Sequence, residues 1–478
     1  MPNRDSSMSG VYKWSAIDRV CNSVMTFAGN VILARILTPY DFGLLAMVAI
    51  FVAIAYNVSG CGLSDGLIKK QTPTERDYST VFVFNLFFGI FFCLIFILLS
   101  QPIADYFGYQ ELKNIMWATG ICFIFSTMTF TQETRMRKEL DMKRMAIVRL
   151  SATASSLGLG IYLALAGYGF WALVSTRIFL SVFLFIYYVI LSRWMPKIAF
   201  YRDSFKEMFG YGVQLMLSYV FTQIGRNVNS FVLGRYSPVA AGVFSQAQKL
   251  QEVPYSIIES VFNWPFFAVL SNEQDAQKRR KLAQDMFQNI LWIGVVTGAL
   301  LVLLASPGIR VLYGEKWIEA IPIFRLLILY GIFTSMKYFF QTILKTYGKT
   351  KTIKNLTFIE IVLQLVLLTI AFEFGIYWIT ISQIVALGIV MLCYLRWYMK
   401  IEEIPLMRII TSIVNTIVVP LIVFAIVLVG YLYWNGNVSV YVNLLLILMS
   451  FCIMFVLLNE LIRPSVYISY RKKLVSER

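Results

Sequence analysis

Apolar stretches of about 20 residues recur along the whole chain, parted by short polar connections that carry most of its charge. A helix of about 20 residues spans roughly 30 Å, the thickness of a bilayer's hydrocarbon layer. Fourteen such stretches can be placed. Six lie at 14–37, 41–68, 79–100, 112–133, 145–166 and 170–192, and eight at 208–234, 239–270, 282–305, 319–341, 355–375, 377–398, 409–433 and 439–462. The pattern predicts an all-α polytopic membrane protein. Its one long polar interruption, RWMPKIAFYRDSFKEM at Arg193–Met208, is basic and carries a proline. The predicted organisation is a six-helix N-lobe (1–192), a cytoplasmic linker (193–207), a six-helix C-lobe (208–398), and two further helices with a basic tail (399–478).

The chain is organised around the span that opens the second lobe, which carries a polar stripe. In QLMLSYVFTQIGRNVNSFVLGRYSPVAAG, Gln214, Ser218, Thr222, Gly225 and Asn229 recur at steps of three or four and so share one helix face, with Arg226 beside them. A turn follows at Ser237-Pro238, because proline cannot continue a helix interior. The pattern returns 199 positions earlier as SAIDRVCNSVMTFAGNVILARILTPYDFG, with Ser15 on Gln214, Asn30 on Asn229, Thr38-Pro39 on Ser237-Pro238 and Gly43 on Gly242. Together with the matching hydropathy this reads as two pseudo-symmetric halves, an arrangement that in transporters places the site at the repeat interface.

Composition narrows the function. The chain is 58% hydrophobic and 14% charged, with mean hydropathy +0.69. It has no histidine, which removes histidine metal ligands, bases and proton relays. The six cysteines lie in or beside apolar segments without CxxC spacing and read as small packing residues. No metal or cofactor is expected, and there is no Walker A sequence. With the N-terminus inside, most of the 42 Lys and Arg fall in alternate connections, and the outer loops hold only Lys113, Arg235, Arg310 and Lys316. By the positive-inside rule both termini are cytoplasmic. The net charge of +16 is thus mostly a topology signal and implies no nucleic acid.

Eight cations remain within the spans: Arg19, Arg35, Arg149, Arg177, Arg226, Lys249, Arg325 and Lys337. Arg35 and Arg149 read as snorkelling to the interface. Arg226, Arg177 and Lys249 are harder to excuse, since a cation at bilayer centre costs about 2.5–3.5 kcal/mol on the insertion scale. Such groups face water, a partner or a substrate. Lys249 and Glu252 can pair at i, i+3. Lys337 and Glu360 fall at similar depth on adjacent antiparallel spans and can also pair. A net-cationic polar interior in lipid points to an anionic substrate with an apolar tail. Candidate substrate contacts are Arg226, Arg177, Lys249, Arg19, Gln214, Ser218, Thr222, Asn229 and Asn30. Candidate coupling or ion-pair acids are Asp65, Glu252, Glu259 and Glu360.

The stretch NVILARILTPYDFGLLAMV, followed by GLSDGLIKKQ, resembles the opening of Wzx-type polysaccharide flippases. These belong to the multidrug/oligosaccharidyl-lipid/polysaccharide exporter superfamily, and the chain is most similar to its lipopolysaccharide and colanic-acid exporter branch. The resemblance implies two six-helix lobes around a cationic cavity that opens alternately to each side. It implies a bacterial inner-membrane flippase for undecaprenyl-diphosphate-linked oligosaccharide, working beside a polymerase and a chain-length regulator. It leaves open the glycan and any coupling ion, proton or sodium. A multidrug exporter of the same superfamily and a polytopic polysaccharide polymerase are the rival readings. The first fits cationic drugs and acidic sites better than an intramembrane Arg226. The second wants a large external loop, and the outer connections here are short.

Overall fold

The computed structural model describes residues 8–60, 63–192, 194–434 and 439–462. Among them the regular elements are all helical. Contacts divide the chain into two compact units, Met1–Gly242 and Val243–Arg478. The first holds α1 (Met8–Ile36), α2 (Pro39–Gly60), α3 (Leu63–Lys69), α4 (Glu75–Phe107), α5 (Glu111–Lys138), α6 (Met142–Leu165), α7 (Phe170–Ser192), α8 (Arg202–Tyr236) and the first turn of α9 (Pro238–Asn272). The second holds the rest of α9, then α10 (Ala276–Leu312), α11 (Ala320–Thr346), α12 (Thr350–Ala371), α13 (Ile376–Glu402), α14 (Leu406–Trp434) and α15 (Val440–Ile462).

Apart from the seven-residue α3, these helices run from 22 to 37 residues, which makes fourteen of spanning length among the described residues. Twelve are also apolar enough to cross a membrane. The other two, α1 and α8, are the helices that the sequence relates as repeats. Within the predicted second span, 41–68, the described residues are helical as α2 and α3.

The α1–α2 turn shows why the ordering residues sit where they do. Thr38 caps α2: its N–H and Oγ1 donate to Asp41 Oδ2 at 2.9 and 2.7 Å, and Asp41 N–H returns to Thr38 Oγ1 at 3.4 Å. Pro39 takes the first helical position, where a missing N–H costs nothing. The α8–α9 turn again sets a proline, Pro238, at the first helical position after a hydroxyl residue, Ser237, with Ala240 where α2 has Asp41, and the two turns meet. A Cβ on Gly43 would lie 1.8 Å from the Pro238 carbonyl oxygen, and one on Gly242 would lie 1.9 Å from that of Pro39. Each glycine is there to let the other copy's backbone pass.

α8 packs on α2, α3 and α4. Gly234 admits the Met47 side chain, and Phe231 sits edge-on to Phe51 and Phe107. The polar segment that the sequence assigns to the linker is held against α4 and α5. Trp194 Nε1 donates to Glu75 at 3.1 Å, the Arg135 guanidinium lies 4.1 Å over the Trp194 ring, and Tyr201 N–H donates to Thr80 Oγ1 at 3.1 Å. Beside it Lys70 bridges Glu207 at 2.8 Å and Asp77 at 3.1 Å, and these carboxylates, Glu207 foremost, hold its ammonium above the usual lysine range. In the second unit Phe287, Phe339, Phe340, Tyr394 and Tyr398 form an aromatic core joining α10, α11 and α13.

Candidate functional site

In the first unit, Arg177 stands at the eighth position of α7, with its side chain exposed from the protein surface. Its backbone carbonyl accepts Ser181 Oγ at 3.0 Å, and Ser181 in turn bonds Ser126 of α5 at 2.9 Å. Among the described residues the Arg177 guanidinium has neither an ion-pair nor a hydrogen-bond partner, and the same holds for exposed Arg19 on α1 and exposed Arg325 on α11. A guanidinium exposed to hydrocarbon would be costly, which makes these three the cations to weigh as cargo contacts.

Asp18, next to Arg19 in sequence, turns the other way. It is buried and accepts Arg149 Nη1 of α6 at 3.1 Å. Arg149 Nη2 also bonds Glu133 of α5, which is shared with Arg137. Nearby, Thr153 Oγ1 donates to Asn22 Oδ1 at 2.8 Å. The snorkelling assigned to Arg149 is therefore corrected: it is the centre of a network tying α1, α5 and α6. No local spacing announces this, since Arg149 and Asp18 are 131 positions apart.

On α8, Arg226 and Thr222 are exposed, whereas Asn229 is fully buried. One turn separates a polar surface from a packed polar group, so the predicted stripe does not present a uniform face. Asn227 Nδ2 donates to the Gln223 carbonyl at 2.9 Å. Asn30 on α1 is half-buried. The side chains of Gln214, Ser218 and Asp65 lie outside the described residues.

In the second unit, Lys337 Nζ of α11 donates to Glu360 Oε1 of α12 at 2.9 Å, and both side chains are nearly buried, at 13% and 10% exposure. Depth matching across an antiparallel pair predicts this contact. On α9, Lys249 is exposed, and Glu252 and Glu259 are half-buried. Glu252 accepts Gln248 Nε2 at 3.2 Å. Gln251 and Tyr255 of α9 press on Gly331 of α11, where a Cβ would meet them at 2.3–2.4 Å. Among the described residues no cluster of His, Cys, Asp or Glu could hold a metal.

The family profile described as "Polysaccharide biosynthesis protein" matches residues 32–322. The chain is 22% identical over 341 residues to the teichuronic acid biosynthesis protein TuaB of Bacillus subtilis (strain 168), covering 70% of each. It is 24% identical over 347 residues to the lipopolysaccharide biosynthesis protein WzxC of Escherichia coli (strain K12), covering 70% of this chain and 69% of that one. Among solved structures, the lipid II flippase MurJ in an inward closed conformation superposes with TM-score 0.73 over 93% of this chain and 98% of its own, at 15% identity. An inward-facing multidrug MATE transporter of the MOP superfamily gives TM-score 0.62 over 80% and 94%, at 14% identity. The fold is therefore the one shared by these transporters.

Proposed function

The chain belongs to the polysaccharide biosynthesis protein family, and from that premise we propose that it is a flippase that carries a lipid-linked oligosaccharide across the bacterial inner membrane by alternating access. The observation that carries this reading is the family match over Arg193–Met208 and the helices on both sides of it, in a chain folded as a polytopic transporter. The names of the relatives, a lipopolysaccharide and a teichuronic acid biosynthesis protein, support a glycan cargo.

The residues fit that task. A polyprenyl tail can stay in hydrocarbon while the diphosphate and sugars cross, but those headgroup charges and hydroxyls must not lose their water without replacement. Arg177 and Arg19, on α7 and α1, supply guanidinium forks suited to phosphate. Exposed Thr222 and Arg226 on α8 add hydroxyl and cationic contacts. Buried Asn229, and Glu360 within its ion pair, serve packing instead of contacting cargo. The chain itself performs no bond-making step, and a polymerase receives the exported unit. The basic connections lie on the cytoplasmic side, with both termini.

Reconstitution tests this. Purified chain in liposomes is expected to move a fluorescent polyprenyl-diphosphate oligosaccharide to the leaflet where an added impermeant quencher reaches it. Equal quenching with and without the protein rejects the reading, and movement of cationic dyes alone selects the multidrug alternative.

A further inference from the structure

The corner where α10, α13 and α14 meet holds five cations, and they divide into two groups. Arg279 and Arg280 of α10 are committed. Arg279 Nε donates to Tyr347 Oη at 3.0 Å, and Tyr347 Oη donates to buried Glu402 at 3.1 Å. Arg280 Nη2 bonds Glu403 at 2.9 Å. Glu403 is thereby paired with a cation, and Glu402 is tied to Arg279 through the Tyr347 hydroxyl. Glu403 is held in the left-handed region at φ 50°, which turns the chain sharply into α14. The second group, Arg396, Lys400 and Arg408, has no acidic partner among the described residues, and all three are exposed.

Arg396, Lys400 and Glu403 line an open groove of about 490 Å³ with Met399, Ile404 and Pro405. Arg408 lines the adjoining pocket with Gln288 and Ser412. The one carboxylate on the groove, Glu403, already carries its countercharge from Arg280. Lys400 also lies 5.7 Å over the Trp397 ring, and tryptophan is at home at the membrane interface. The same faces continue into hydrocarbon. On α13, Val385, Ile389, Leu392 and Arg396 follow at steps of three and four, with the three apolar members exposed. On α14, Met407, Ile410 and Val414 do the same below the groove. Cations at the interface with bare apolar stripes directly beneath them match one ligand chemistry, an anionic headgroup with two acyl chains.

We propose that this corner is a binding site for an anionic phospholipid, whose phosphate is held by Arg396, Lys400 and Arg408 and whose chains lie along α13 and α14. It is distinct from the cargo contacts on α1, α7 and α8. Native mass spectrometry of the full chain, loaded with phosphatidylglycerol or phosphatidylcholine, tests it. Phosphatidylglycerol is expected to be retained in preference. Each of Arg396→Gln, Lys400→Gln and Arg408→Gln should weaken its binding about fivefold, and the triple exchange on the order of a hundredfold. Exchanging exposed Lys278, Lys351 and Lys354 for Gln should leave it unchanged. Equal retention of the two lipids, equal loss in the control triple, or no loss in the single variants overturns the proposal. So does tighter retention of a polyprenyl diphosphate than of phosphatidylglycerol, which would make this a cargo site. Stabilisation by inorganic phosphate alone, to the same melting temperature, also overturns it.

Discussion

A cation inside a membrane span says little until its partner is known, and the chain supplies both cases. Lys337 and Glu360 neutralise each other in a nearly buried contact. Removing one partner leaves an uncompensated charge, a loss of about 3–5 kcal/mol for buried pairs. Lys337→Met alone should therefore lower the melting temperature in detergent and the protein's abundance, and adding Glu360→Leu should restore most of both. A single variant that melts like the parent would show the pair to be dispensable. Arg177 has no such partner among the described residues. Arg177→Gln should keep the parent's melting temperature and cut glycolipid flipping roughly tenfold or more, with Arg177→Lys in between, because a guanidinium fork holds phosphate better than a point charge. If Arg177→Gln flips at the parental rate, Arg177 is no cargo contact. The Lys337–Glu360 pair is legible in the sequence because neighbouring antiparallel helices preserve depth. The Asp18–Arg149–Glu133 network is not, because its members meet only once α1, α5 and α6 are packed.

At the scale of helices, periodicity and turn chemistry predict most of the architecture. Among the described residues fourteen helices have spanning length, twelve of them apolar enough to cross a membrane, roughly in line with the fourteen predicted spans, and the turns at Thr38-Pro39 and Ser237-Pro238 start α2 and α9. The repeat is visible, but its consequence is not: nothing in a sequence says that two related turns will lie on each other. Gly43 and Gly242 carry that contact, each facing a carbonyl oxygen that is fixed in its helix and cannot rotate away. Overpacking of this kind costs about 1–3 kcal/mol. Gly43→Ala and Gly242→Ala should each lower the melting temperature, and the double variant should cost less than the sum, since one displacement relieves both clashes. Strict additivity would mean that the two glycines act independently. Gly43→Ser should be no better tolerated than Gly43→Ala, because any Cβ meets the oxygen first.

For the whole molecule, the distribution of charge is the strongest available argument about orientation. The α5–α6 connection carries Arg135, Arg137, Lys138, Lys143 and Arg144, and the start of α10 carries Lys278, Arg279, Arg280 and Lys281. Several of these also make contacts that fix the local structure. Arg135 lies over Trp194 and bonds Glu139 at 2.8 Å, and Arg279 and Arg280 hold the end of α13. Clusters of cations resist translocation, so both connections are predicted to be cytoplasmic and the α10–α11 turn external. In a cysteine-free background, a cysteine in place of Glu139 or Gln277 should resist a membrane-impermeant thiol reagent in intact cells and react once the membrane is opened. A cysteine in place of Lys316, beyond the end of α10, should react in intact cells. The opposite labelling pattern would invert the orientation. It would also place the Arg396–Arg408 groove against the outer leaflet, where the anionic lipid proposed for it would have to be found.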